Sequence, residues 1–317
     1  MTFSDNFQLD VWKGDWGLPS VDINCLKALT YAKFSNVPVI VRETSNPFRS
    51  ANGQLPVLRC KAGSFCTVDK IFDVFHQHKY NPDNGTTKLQ TAETAAYQTM
   101  LEECLYPALQ YEWWVDEQNL NQIIRQWYCK ALPFPLNFYY PGKYEKYAKY
   151  MVEALYPNLD DKVAETFIYS KSQKCITTLS TRLGESDYFF GSTPSMFDAL
   201  VFAYLAPILK IPLPSCRLQI YLKNCNNLVK FVNRILQKYF EDDFQEYEKL
   251  KIKEEELKAK TSTDLEFPNK TRNQIFAGIF AMVAMLGYAF STGIVQVPFS
   301  FNCKIFSSLL FGWISLI

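Results

Sequence analysis

The chain has 317 residues, with 33 Lys and Arg set against 32 Asp and Glu. A formal charge of +1 excludes a broad electrostatic grip on nucleic acid or acidic lipid, and leaves only local patches open. Nine cysteines without a CxxC pair, and two histidines, His76 and His78, give neither a secreted disulfide framework nor a clustered metal site.

The first residues, MTFSDNFQLDVWKGDWG, lack the basic and apolar stretches of a secretory signal and the Arg-rich pattern of a matrix presequence. The front of the chain is therefore expected in the cytosol. Residues 6–12 alternate Phe7, Leu9 and Val11 with polar neighbours, which predicts a strand. After a turn at 16–20, Ser20 is placed to cap a helix running through Cys25, Leu29 and Phe34. Residues 37–42 read as a second strand, 44–53 as a polar loop, 55–58 as a short strand entered through Pro56, and 65–67 as another. Residues 69–79 suit a helix with Ile71, Val74 and Phe75 on one face. The order over residues 1–82 predicts a small α/β unit with one mixed sheet.

From Thr91 the apolar period lengthens to three and four, and helices are expected at 91–109, 119–131, 144–156, 162–183, 195–208, 216–224 and 226–239. Prolines 133, 135, 141, 157, 212 and 214 are assigned to loops, so residues 91–240 form an all-helical second domain. Ser195 and Asp198 have the spacing of a reciprocal helix cap, a structural role. Trp113 and Trp114, with Tyr111, Trp127 and Tyr128, fit either a partner interface or the helical core. Phe134, Phe138, Tyr139 and Tyr140 fall in and after a Pro-Phe-Pro turn and are placed to project as a docking edge. No nucleic-acid partner, cofactor or metal is expected.

Residues 241–260 hold eight acids and five lysines, an exposed helix or a flexible stalk continuing to residue 273. Residues 275–295, IFAGIFAMVAMLGYAFSTGIV, carry no charge. As a helix such a run spans about 30 Å, the thickness of a bilayer core, and Lys270 and Arg272 flank its start. A membrane anchor is expected there. The further apolar run at 305–317 is too short to cross a bilayer comfortably, and the role of residues 296–317 stays open.

A small α/β domain followed by a helical one resembles the glutathione transferase fold, a thioredoxin-like domain before an all-α domain. Several segments more closely resemble the metaxin family of the tail-anchored type. They are GDWGLPSVDINCLKALTYAKFSNVPV (14–39), NPFRSANGQLPVL (46–58), KYN (79–81), MLEE (100–103), RQWYCKALPFPLNFYYPG (125–142), CITTLSTRLGESDYFFG (175–191), TPSMFDALVFAYLAPIL (193–209) and the run at 270–295. The resemblance implies residence in the mitochondrial outer membrane with the body in the cytosol. It also implies work in protein import and β-barrel assembly, beside a second metaxin and the barrel-assembly channel. For a transferase it would imply a thiol-activating Ser20, a cis peptide at Leu55–Pro56, and an acid or glutamine followed by serine where this chain has Thr67-Val68. Valine and threonine offer poor partners to a charged tripeptide end, so a non-catalytic scaffold is the expectation and a Ser20 transferase the alternative.

Overall fold

The computed structural model describes residues 7–44, 53–83, 85–157 and 159–263, together with Met282 and Met285. The expected anchor at 275–295, those two methionines apart, the tail at 296–317 and most of the polar loop at 44–53 lie outside the described residues. Among the described residues, no helix is long and apolar enough to cross a membrane. The chain divides into two compact units, Met1–Ile252 and Lys253–Ile317.

Four strands form one mixed sheet in the order β2-β1-β3-β4. β1 (Phe7–Val11) pairs parallel with β2 (Val39–Glu43) and antiparallel with β3 (Val57–Cys60); β3 pairs antiparallel with β4 (Gly63–Phe65). Phe7, Leu9 and Val11 are buried on one face of β1, as the alternation requires. The other face carries a polar staple. Asp10 of β1 accepts two hydrogen bonds from Arg42 of β2 and one from Arg59 of β3, each 3.0 Å long. One carboxylate thus bridges three strands. Burial alone would raise its pKa, but hydrogen bonds from Gln8, Arg59 and Arg42 prevail and hold it below the usual range.

Two expected boundaries move for stated reasons. The last strand is β4, ending at Phe65, because Thr67 is already the N-cap of α2 (Val68–Gln77). Helix α1 (Ile23–Phe34) is capped by Asp22, not Ser20: the Asp22 carboxylate accepts from the Cys25 amide at 2.8 Å, satisfying a first-turn donor. Helix α1 is buried along almost its whole length, from Ile23 through Phe34, and packs against α2 and against α9 (Met196–Lys210). A helix covered on every side carries no amphipathic stripe.

The helical half opens with α3 (Lys88–Met100), whose Thr87 and Gln90 form a capping box. A π-turn at Leu101–Leu105 leads into α4 (Tyr106–Gln110), and another at Tyr111–Val115 precedes α5 (Glu117–Asn119). A third, at Leu120–Ile124, leads into α6 (Arg125–Ala131). Then come α7 (Leu136–Leu155), α8 (Asp161–Leu183), α9, α10 (Arg217–Lys223) and α11 (Asn226–Tyr239). Pro141 lies inside α7, not in a loop. Its missing amide would orphan the Asn137 carbonyl, which instead accepts from the Cys129 thiol at 3.5 Å. The charged run beyond residue 240 is helical, α12 (Glu241–Thr263), and Phe244 in its first turn packs onto the core of the body. One hydrophobic cluster runs from Phe7 of β1 to Phe240, so sheet and helices share a core. This mixed sheet followed by a mostly helical body fits the thioredoxin-like and transferase-like architecture.

Replacing Asp10 with Asn would leave Arg42 and Arg59 without their shared anion and lower unfolding stability by about 1–3 kcal/mol, measured by urea denaturation. The sign with pH follows. A carboxyl with a depressed folded pKa stabilises above the unfolded value, so this contribution fades as pH falls through the acid range, and in the Asp10→Asn variant that fading is absent.

Candidate functional site

The place to look for thiol chemistry is where the start of α1 meets the strand entry at Pro56. The Leu55–Pro56 peptide is cis. A cavity of about 200 Å³ opens here, walled by Asn24, Lys27, Pro56, Thr67, Asp69 and Glu102. Beside it, sharing Asn24, Gln54 and Leu55, lies a second cavity of about 240 Å³. Its walls are aromatic, with Trp12, Tyr106, Trp113, Trp114, Tyr128 and Tyr144 among them.

Neither cavity is walled by Ser20. Its side chain is fully buried, and its hydroxyl oxygen accepts from the Asp22 amide at 3.4 Å. A hydroxyl so enclosed cannot reach a ligand thiol, which removes the basis of the Ser20 alternative. Cys25 fares no better. Its thiol is buried, accepts from the Trp12 amide at 3.5 Å, and burial pushes its pKa well above the ordinary thiol range. The helix terminus that would stabilise a thiolate is already occupied by the Asp22 carboxylate, which also lines the aromatic cavity. A second anion beside it would be repelled.

The polar cavity is equally unsuited to a tripeptide. Thr67 makes no side-chain capping bond at the start of α2, and Val68 adds no polar atom. The one buried cation among the described residues, Lys27, is turned inward: it donates to the Tyr204 hydroxyl at 3.2 Å and lies 4.7 Å over that ring. Burial lowers its pKa, opposed by Glu102, Asp22 and Asp69. Its ammonium therefore ties α1 to α9 and is not presented to a ligand.

The structure separates the other sequence candidates. Ser195 and Asp198 form a reciprocal cap beneath the body. The Ser195 amide donates to the Asp198 carboxylate at 2.8 Å, the Ser195 hydroxyl at 2.5 Å, and the Phe189 amide at 2.9 Å. Trp113 and Trp114 are not surface residues: both are buried, so their interface reading is withdrawn and the core reading stands. Trp114 packs on Tyr128 and Tyr144, with ring centres 5.1 and 5.2 Å away. Phe134, Phe138 and Tyr139, by contrast, stand in solvent. Two buried groups escaped sequence reasoning. Glu112, whose pKa burial raises to about 7, accepts from the Leu218 amide at the start of α10. Asn119 joins the Glu112 carbonyl to both backbone groups of Ser215. No local pattern marks them, because their partners lie about a hundred residues away.

The family described as "Outer mitochondrial membrane transport complex protein" matches residues 25–145, and "Glutathione S-transferase, C-terminal domain" matches residues 172–235. Metaxin-1 of Macaca fascicularis is 39% identical over 294 residues, which span 92% of this chain and 91% of that protein. The chain belongs to the metaxin family. The Mus musculus metaxin-1 is 38% identical over the same shares of the two chains. The metaxin-1 homolog of Caenorhabditis briggsae is 33% identical over 92% of this chain and 97% of its own.

In this metaxin, Asp198 supplies a pH signature. Burial raises its carboxyl to about 6 in the folded state, against hydrogen bonds from Ser195 and Phe189 that favour the anion. A group whose folded pKa exceeds its unfolded one stabilises at low pH, and that contribution is lost as pH rises from about 4 to about 6. Thermal melts across this window are expected to show the loss in the parent chain and a flatter profile for Asp198→Asn. Ser195→Ala is expected to cost about 1–2 kcal/mol at neutral pH.

Proposed function

We propose that this metaxin is a non-catalytic subunit of the protein-transport machinery of the mitochondrial outer membrane. Its body lies in the cytosol, and residues 275–295 anchor it in the bilayer. It holds a second metaxin and the channel that assembles β-barrel proteins, binding them through the transferase-like body. The observation that carries the reading is the 39% identity with a metaxin-1 across 92% of the chain. The site geometry supports the non-catalytic half of it: a buried Ser20, a buried Cys25 thiol and a helix start filled by Asp22. Tethering two partners at a membrane acts through effective concentration, which needs surfaces and an anchor but no reacting group.

Full-length protein pulled from mildly solubilised mitochondria is expected to bring down a second metaxin and the barrel-assembly channel, identified by mass spectrometry. A reproducibly empty pull-down would overturn the subunit reading. Removal of residues 274–317 is expected to release the chain into the cytosol. Millimolar glutathione is expected to leave the melting temperature unchanged, whereas a shift abolished by Ser20→Ala would restore the enzymatic alternative.

A further inference from the structure

Helix α7 carries aromatic side chains on both of its sides, which a surface helix does not need for packing. At about 100° per residue, one half of its circumference holds Tyr140, Tyr144 and Ala148. Tyr140 and Ala148 are buried, and Tyr144 packs on Trp114 and Tyr128. The outward half holds Phe138, Tyr139, Lys143, Lys146, Lys149, Tyr150 and Glu153, every one exposed. Phe138 is 73% exposed, Tyr139 60% and Tyr150 71%; Phe134, in the preceding turn, is 80% exposed and packs edge-on against Phe138 at 6.1 Å. Such a run of exposed rings is costly in water and marks a contact surface.

The lysines say what covers it. Helix α7 carries three lysines, Lys143, Lys146 and Lys149, and two acids, Glu145 and Glu153. Glu145 already pairs with Arg125 and with Lys149, so Lys143 and Lys146 face only Glu153 and leave the outward face net positive in a chain that is nearly neutral overall. Protein interfaces enrich tyrosine but deplete lysine. Tyrosine interleaved with lysine is the pattern of the membrane–water boundary: rings sit at headgroup level while long basic stems lie along them with their ammonium groups on phosphate.

We propose that the outward face of α7, with Phe134, is a peripheral membrane contact that seats the body on the headgroups of an anionic phospholipid bilayer. Phe134 and Phe138 enter the acyl boundary, Tyr139 and Tyr150 lie at headgroup level, and Lys143 and Lys146 meet the phosphates. The contact draws on the outer-membrane reading only for which bilayer is met. It is tested on lipid alone, so an empty pull-down would leave it standing.

The test uses the full-length chain reconstituted in liposomes of phosphatidylcholine with phosphatidylinositol, carrying photoreactive benzoylphenylalanine in place of Phe138 or Tyr150. Illumination is expected to yield phospholipid adducts about tenfold above those from the same probe at Lys174, an exposed position on α8. The combined variant Lys143→Glu, Lys146→Glu is expected to cut them about tenfold or more, and the two-glutamine version by less. Equal adducts at Lys174, or adducts indifferent to charge reversal, would overturn the proposal. So would crosslinks that skip lipid and form only to a co-reconstituted protein, which would make the face a protein interface.

Discussion

The body is organised around the near-complete burial of α1. It packs against α2 and α9, and along it only Asn24 and Lys33 reach water. Most of its buried polar groups are answered internally, the Thr30 hydroxyl being an exception, and one left unanswered costs about 1–3 kcal/mol. The answers are specific. Asp22 takes the Cys25 amide, the Cys25 sulfur takes the Trp12 amide, and Tyr204 of α9 takes the Lys27 ammonium. Helix α9, covered in turn, has its own start satisfied by Ser195 and Asp198. The seam between α1 and α9 therefore joins apolar packing with a buried charge, Lys27.

That constraint also closes the start of α1 to thiol chemistry. A helix start pointing at a cleft is a ready anion site when its amides are free. Here the Asp22 side chain has taken one of those amides, and Ser20 is folded beneath it. The change requires no alteration of the scaffold. The cis peptide, the mixed sheet and the capped α9 remain, because each is needed to build the body whether or not it reacts with anything. Fold and chemistry separate at two or three side chains.

How much was legible follows the range of the forces involved. The strand at Phe7–Val11, the helix through Cys25 and Phe34, and the cap at Ser195 and Asp198 are written in local period and spacing, and the structure has them. The cap of α1 was misread by two residues, because Ser20 and Asp22 are both competent and only burial of the serine decides between them. Pro141 was read as a break, yet α7 runs through it because Cys129, from another helix, supplies a donor to the orphaned carbonyl. Trp113 and Trp114 could not be sorted from Phe138 and Tyr139 by composition. Aromatic residues occur on both sides of α7, and only packing says which side is covered.

The two sides of α7 are linked physically. Lys143, on its outward face, and Tyr147, exposed but on the side of Tyr140 and Tyr144, both line the aromatic cavity beside Asp22. The cavity left at the transferase-like cleft thus borders the face proposed to meet lipid. Its floor is Trp113, Trp114 and Tyr128, rigid and already packed, while these two border residues are long and exposed. A surface built in this way can adapt to a soft partner through its lysine stems and tyrosine rings without disturbing the core, because its inward neighbours Tyr140 and Tyr144 are held against that aromatic floor.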